Sequence, residues 1–170
     1  MNRLKKIDIV KVLFGIYCLL LVWIILFKLS FSIQDITGLD KIRSINLIPF
    51  YYPNEVNSHF HFTEVIENFL IFIPFGIYLK MLNKDNKIII ILGFLFSLIL
   101  EISQFIFKLG ASDITDIITN TLGTTIGVLG YCLLEKIFKN KEKINKVLKI
   151  LALIVTILFF LLMLLLLIEN

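Results

Sequence analysis

The stretch from Ile88 to Phe107 reads IIIILGFLFSLILEISQFIF. It has the length of a bilayer-spanning helix, about 20 mostly apolar residues. One carboxylate, Glu101, and one amide, Gln104, lie inside it at a spacing that puts both on one face of a helix. A charge in such a run is costly and turns toward a bundle interior or water, not toward lipid. The stretch therefore predicts a transmembrane helix with helical neighbours around Glu101.

Four more runs qualify on either side: about Val10 to Leu29, Glu64 to Met81, Asp113 to Leu134 and Ile150 to Ile168. The composition agrees, with 58% hydrophobic and 18% charged residues in 170. Soluble domains carry about 45–50% apolar and about 25% charged residues. Disorder, collagen, coiled coil and disulfide scaffold are excluded, and a soluble enzyme is disfavoured. The expected fold is an all-α integral membrane protein, residues 1–170 forming a single membrane domain. It is a bundle of five transmembrane helices with a re-entrant or interfacial outer loop after the first. The N-terminal run follows Arg3, Lys5 and Lys6 as a signal peptide would. It is long, however, and no good small-x-small cleavage site follows, so it reads as an uncleaved span. The last run, 150–168, is nearly pure Leu, Ile and Phe after a Lys-rich linker, and reads as an accessory helix facing lipid.

Orientation follows from Lys and Arg. The N-terminal segment, the linker after the second span and the linker after the fourth together hold thirteen of the seventeen basic residues. Lys28, Lys41, Arg43 and Lys108 fall on the other side. The expectation is a multi-pass membrane protein, N-terminus cytoplasmic and C-terminus extracytoplasmic. The Lys residues lie in short linkers, so nucleic acid is not an expected partner; membrane lipid is.

With that orientation the polar residues meet at one depth. Glu101 is about 9 Å below the outer end of the third span, and Asn120 about 10 Å below that of the fourth, at about 1.5 Å per residue. Glu64, Glu67 and Asn68 share a face at the start of the second span, and Asp113, Asp116 and Asn120 share one on the fourth. The loop Asn46-Leu47-Ile48-Pro49-Phe50 is apolar and belongs at the interface or over the bundle mouth. The expected ligand-binding set is Asn46, Glu67, Asn68, Glu101, Gln104, Asp113, Asp116 and Asn120, with Glu101 and Asp116 the candidates for any catalysis. Glu64 and Asp113 also suit helix starts, where Ser112 or Asp113 would serve as N-cap.

Other features read as structural. Gly123, Gly127 and Gly130 form a small-residue stripe for close helix approach. Pro74 should bend the second span. Cys18 and Cys132 lie in apolar runs and read as buried thiols. His59 and His61 would share a side only on an extended strand, and read as a pair without a metal. No cofactor or metal pattern is present in the sequence.

Four elements together carry a resemblance: Asn46-Leu47-Ile48-Pro49-Phe50; Asn68 with Phe72-Ile73-Pro74-Phe75-Gly76; Glu101-x-x-Gln104; and Asp113-x-x-Asp116 with Asn120, Gly123 and Gly127. In this order they resemble the VanZ-like family of bacterial membrane proteins, over about Asn46 to Leu134, the expected core. Members often carry an Arg shortly before the Asp-x-x-Asp element; here 108–112 reads KLGAS. Lys108 would act there as a point charge, not as a bidentate fork. The resemblance implies an envelope role and an association with resistance to teicoplanin-like glycopeptides.

Three functional classes follow. The first is a protein that binds or modifies an envelope lipid or a lipid-linked amphiphile. The second is an intramembrane enzyme using paired carboxylates for acid/base chemistry. The third, least favoured because no repeat is evident, is a small carrier. No nucleophile set is recognisable, and the sequence leaves the oligomeric state open.

Overall fold

The computed structural model describes residues 8–27, 44–51 and 58–169. Among these, five helices are long and apolar enough to cross a membrane. They are α1 (Ile9–Phe27), α2 (Ser58–Met81), α3 (Asn86–Phe107), α4 (Ile114–Phe138) and α5 (Lys141–Glu169). The chain is an all-α membrane protein, as its hydropathy predicts. Short connections at 82–85, 108–113 and 139–140 make successive helices antiparallel. The bundle therefore has a lysine end, holding Lys80, Lys87, Lys136 and Lys141, and a loop end, holding 44–51 and 108–113.

Each boundary has a local cause. Asp85 caps α3 by accepting from the Lys87 amide at 2.9 Å. Asp113 caps α4 by accepting from the Thr115 amide at 2.7 Å. Both helices end on a lysine in left-handed conformation, Lys108 and Lys139, whose amides close back on Gln104 and Glu135. Asn140 then caps the next helix through the Lys143 amide at 2.9 Å.

Two helices begin earlier than hydropathy predicts. α5 starts at Lys141, not near Ile150, so the Lys-rich segment is its first turns and not a linker. Tyr131 Oη donates to Asn145 Oδ1 at 2.7 Å and Lys141 pairs with Glu135 at 3.5 Å, tying those turns to α4. α2 starts at Ser58, so the backbone at His59 and His61 is helical and lacks the extended geometry that would align alternate side chains.

α4 is the centre of the bundle. Against α2 it packs backbone to backbone. A Cβ on Gly123 would stand 2.1 Å from the Phe69 carbonyl oxygen, one on Gly127 2.1 Å from that of Ile73, and one on Gly76 2.2 Å from that of Thr124. Gly130, third in the stripe, meets nothing within 4 Å. Leu21, Phe72, Phe75, Ile89, Leu100 and Val128 bury the main apolar cluster. Pro74 leaves the carbonyl one turn earlier without its helical donor; the adjacent Ile71 carbonyl accepts from Tyr17 Oη of α1. α5 is the least embedded: Leu151, Ile154, Leu158 and Leu161 are all exposed, while Phe159 meets Trp23 edge-on at 6.5 Å.

Candidate functional site

The site forms where the α1–α2 loop meets the α3–α4 turn. Strand β1 (Ile45–Asn46) pairs in parallel with β2 (Ser112–Asp113), Ile45 opposite Ser112 and Asn46 opposite Asp113. The Ser112 amide donates to the Ser44 carbonyl at 3.0 Å. Asn46 then organises the loop. Its Nδ2 donates to the Tyr51 carbonyl at 2.9 Å and to Asp113 Oδ2 at 3.1 Å, and its Oδ1 accepts from the Ile48 amide at 3.1 Å. An Asn side chain bonded to its own backbone two residues on is a turn former. The Phe50 amide completes the docking by donating to Thr115 Oγ1 at 3.1 Å. Leu47, Ile48, Phe50 and Tyr51 stay exposed, an apolar rim around a satisfied polar hub.

Glu101 lies under that hub and is 1% exposed. Its Oε2 accepts from the Asp113 amide at 2.9 Å. Asn46, Asp113 and Glu101 thus form one chain of bonds across the loop, α4 and α3. Asp113 and Asp116 are the charged neighbours of Glu101. Asp116 itself is half-buried in the first turn of α4.

Lower on the α3–α4 seam, Asn120 Nδ2 donates to Ser97 Oγ at 2.9 Å, and Thr124 packs on Gly93. Gln104 Nε2 reaches α1 instead, donating to the Ile25 carbonyl at 3.1 Å. Of the eight residues singled out from sequence, direct bonds join three: Asn46, Glu101 and Asp113. Asn120 and Gln104 are buried on the same helices but bond to other partners. Glu67 is exposed on α2, and Asn68 is half-buried. Sequence reasoning passed over Ser97, Thr115, Thr119 and Thr124, all buried. Their signal is helical phase: Ser97 is one turn from Glu101, and Thr124 one turn from Asn120.

Three buried oxygens have no hydrogen-bond partner among the described residues: Glu101 Oε1, Gln104 Oε1 and Asn120 Oδ1. The seam is rich in acceptors and short of donors. Burying a polar atom without its bond costs free energy, and such atoms in a folded protein need an account. Among the described residues no three His, Cys, Asp or Glu side chains group as a metal would need.

Beside Glu101 runs a groove of about 570 Å³. Leu98 and Ile102 of α3 and Ile114, Ile118 and Leu122 of α4 wall it; Ile45 and Leu47 form its rim, and Asn46, Ser112 and Glu101 supply its polar end. Ile102, Leu122, Ile45 and Leu47 are exposed, so the groove opens sideways on the face a bilayer would cover. Apolar walls with a few polar groups at one end suit a ligand that is part chain and part head.

The Asn46 hub makes a testable point about the site's integrity. Asn46→Ala removes three bonds that tie down a partly exposed loop. At about 0.5–1.5 kcal/mol net per bond, the expected loss is about 1.5–4.5 kcal/mol, read as a lower melting temperature in detergent. A melting curve superimposable on wild type would show that the loop is held by other contacts.

The VanZ/LLP1 family model matches residues 14–139. The match includes α1 as well as the stretch that carried the resemblance, and it stops between α4 and α5. A protein of Enterococcus faecium described as "Protein VanZ" is 39% identical over 138 residues, covering 80% of this chain and 81% of the relative. No solved structure matches. The chain belongs to the VanZ/LLP1 family.

Proposed function

We propose that this protein holds an envelope amphiphile in the outer leaflet of the bacterial membrane. The ligand's chain lies in the α3–α4 groove, and its head sits against Asn46, Ser112 and Glu101. The observation that carries the reading is the groove itself, apolar and open sideways along its length, with a buried carboxylate at one end. By its family this chain is read as contributing to resistance toward teicoplanin-like glycopeptides, through the lipid or amphiphile it sequesters or presents. The test is native mass spectrometry of the protein purified in mild detergent. A co-purifying amphiphile is expected on wild type, and Leu98→Trp, which fills the groove, should reduce it by about tenfold, equal to about 1.4 kcal/mol. Undiminished binding by the Trp variant would remove the groove from the mechanism.

A second reading has Glu101 and Asp116 perform acid/base chemistry on the bound molecule; the charge proximity of Asp116 to Glu101 supports it. It requires Asp116→Asn to bind normally while failing to convert the ligand.

The lysine end is read as cytoplasmic because thirteen of the seventeen basic residues fall in the N-terminal segment and in the stretches after the second and fourth spans. Reporter fusions at Asn86 and Asn140 should read cytoplasmic and one at Asn57 external. An external signal at Asn140 would place the groove in the wrong leaflet. α5 is read as an accessory to the four-helix core. Truncation after Asn145 keeps the acceptor for Tyr131 Oη and should leave a folded protein that retains its amphiphile. Loss of the amphiphile on truncation would make α5 part of the site.

A further inference from the structure

We infer that the groove selects a protonated amine as the head of its ligand: an acyl or alkyl chain ending in a primary ammonium. This rests on the groove being the binding site, and it names which class of amphiphile the groove takes.

Charge is the first observation. Among the described residues no Lys, Arg or His lines the groove, and Glu101 is its one ionisable lining residue. A phosphate or carboxylate head would therefore meet the Glu101 carboxyl group with no cation among those residues to offset it.

The second observation concerns donors. The start of a helix normally offers free amides to an anion. Here the protein's own carboxylates already occupy two of them. The Asp113 amide is bonded to Glu101 Oε2, and the Thr115 amide to Asp113 Oδ1. Asn46 Nδ2 is likewise spent, on Asp113 and Tyr51. Of the described side chains at the polar end only the neutral Ser112 hydroxyl is left to donate, and it lies within reach of Glu101 itself.

The third observation is the bare acceptor. Glu101 is 1% exposed, and its Oε1 has no hydrogen-bond partner among the described residues. Its other oxygen is fixed by the Asp113 amide, so the carboxylate is oriented with one lone-pair site left over. An ammonium brings three donors and a positive charge and satisfies that oxygen. A neutral alcohol brings one donor and no charge.

Such a head group has two sources: the ammonium of an aminated membrane lipid, or the amine of an acylated compound arriving from outside. The shared chemistry is tested with simple probes on the full chain in zwitterionic nanodiscs. Dodecylammonium, dodecanol and dodecyl phosphate are titrated, with empty nanodiscs as background. Wild type should bind dodecylammonium about tenfold or more tightly than dodecanol, and dodecyl phosphate no better than dodecanol. Glu101→Gln should abolish the preference for ammonium while dodecanol still binds. Ser112→Lys leaves Glu101 in place and puts a cation in the groove; it should reverse the preference toward dodecyl phosphate. If dodecanol binds and Leu98→Trp blocks it, but ammonium gains nothing over alcohol, the head-group inference is overturned and the groove stands. If none of the three probes binds above background, the groove reading fails with it. To separate the sources, the lipid extract of the purified protein is compared with that of the whole membrane. Enrichment of an amine-bearing lipid assigns the lipid, and its absence with dodecylammonium still bound assigns the external compound.

Discussion

Alanine at Gly127 or Gly123 is expected to destabilise the bundle where alanine at Gly130 stabilises it slightly. The reason is what each new methyl meets. At Gly127 it would lie 2.1 Å from the Ile73 carbonyl oxygen, and at Gly123 2.1 Å from that of Phe69. Contacts under 3.0 Å are essentially never seen for a Cβ. Both obstacles are main-chain atoms of α2 and cannot rotate away, so relief requires α2 and α4 to separate. Separation loosens the backbone contact that supplies dispersion between helices in lipid, where the hydrophobic effect does not act. Overpacking costs about 1–3 kcal/mol per site, so the double substitution loses about 2–6 kcal/mol from a stability of about 5–15 kcal/mol. Gly130 has nothing within 4 Å, so alanine there gains helix propensity of about 1 kcal/mol. Unfolding in mixed micelles at rising detergent denaturant, with the three single variants side by side, checks this. Equal stability of the Gly127 and Gly130 variants would refute the close approach of α2 and α4.

Glu101→Ala is the second large effect, on function and not on abundance. Two stability contributions oppose each other. The Asp113 amide loses its acceptor, worth about 1–3 kcal/mol for a buried donor left bare. The substitution also removes a buried carboxylate oxygen with no partner, whose desolvation penalty is of similar size. The melting temperature should therefore move little, and the apolar spans still direct insertion. On the proposed reading the ligand head loses its one ionisable contact among the described residues. Cells carrying Glu101→Ala should show wild-type amounts of membrane protein by immunoblot. Their glycopeptide susceptibility should equal that of cells without the protein. Lys143→Ala at the lysine end should be indistinguishable from wild type. Full resistance in the Glu101 variant would separate the phenotype from the groove.

Much of this was legible from residue type and spacing. Apolar runs of span length gave the five helices, because lipid imposes a length that sequence cannot disguise. Their beginnings were less legible. Hydropathy marks where a helix contacts lipid, whereas α2 and α5 begin with polar turns, those of α5 held by a cap and a side-chain bond at Asn140 and Asn145. In the site, the burial of Glu101, Gln104 and Asn120 followed from helical phase. Their partners did not, since an amide of Asp113 and a carbonyl of Ile25 leave no trace in side-chain identity. Asn46 was singled out with its loop, but its pairing with Asp113 depends on a parallel register of two residues, too short for any periodicity.

The bonds at the loop end differ greatly in the length of chain they span. Glu101 to Asp113 closes over 12 residues, whereas Asn46 to Asp113 spans 67 and Gln104 to Ile25 spans 79. Local contacts form before distant ones, because the entropy of closing the intervening chain must be met first. The α3–α4 hairpin therefore orients its carboxylate by itself, and the early half of the chain arrives afterwards to supply the rim. During biogenesis there is then an interval in which the pair exposes an apolar cleft without its cover. A chain delayed at that step offers the cleft to a neighbouring copy, so overproduction should trap intermolecular pairs joined through the rim segment Ile45–Asn46 and Ser112–Asp113.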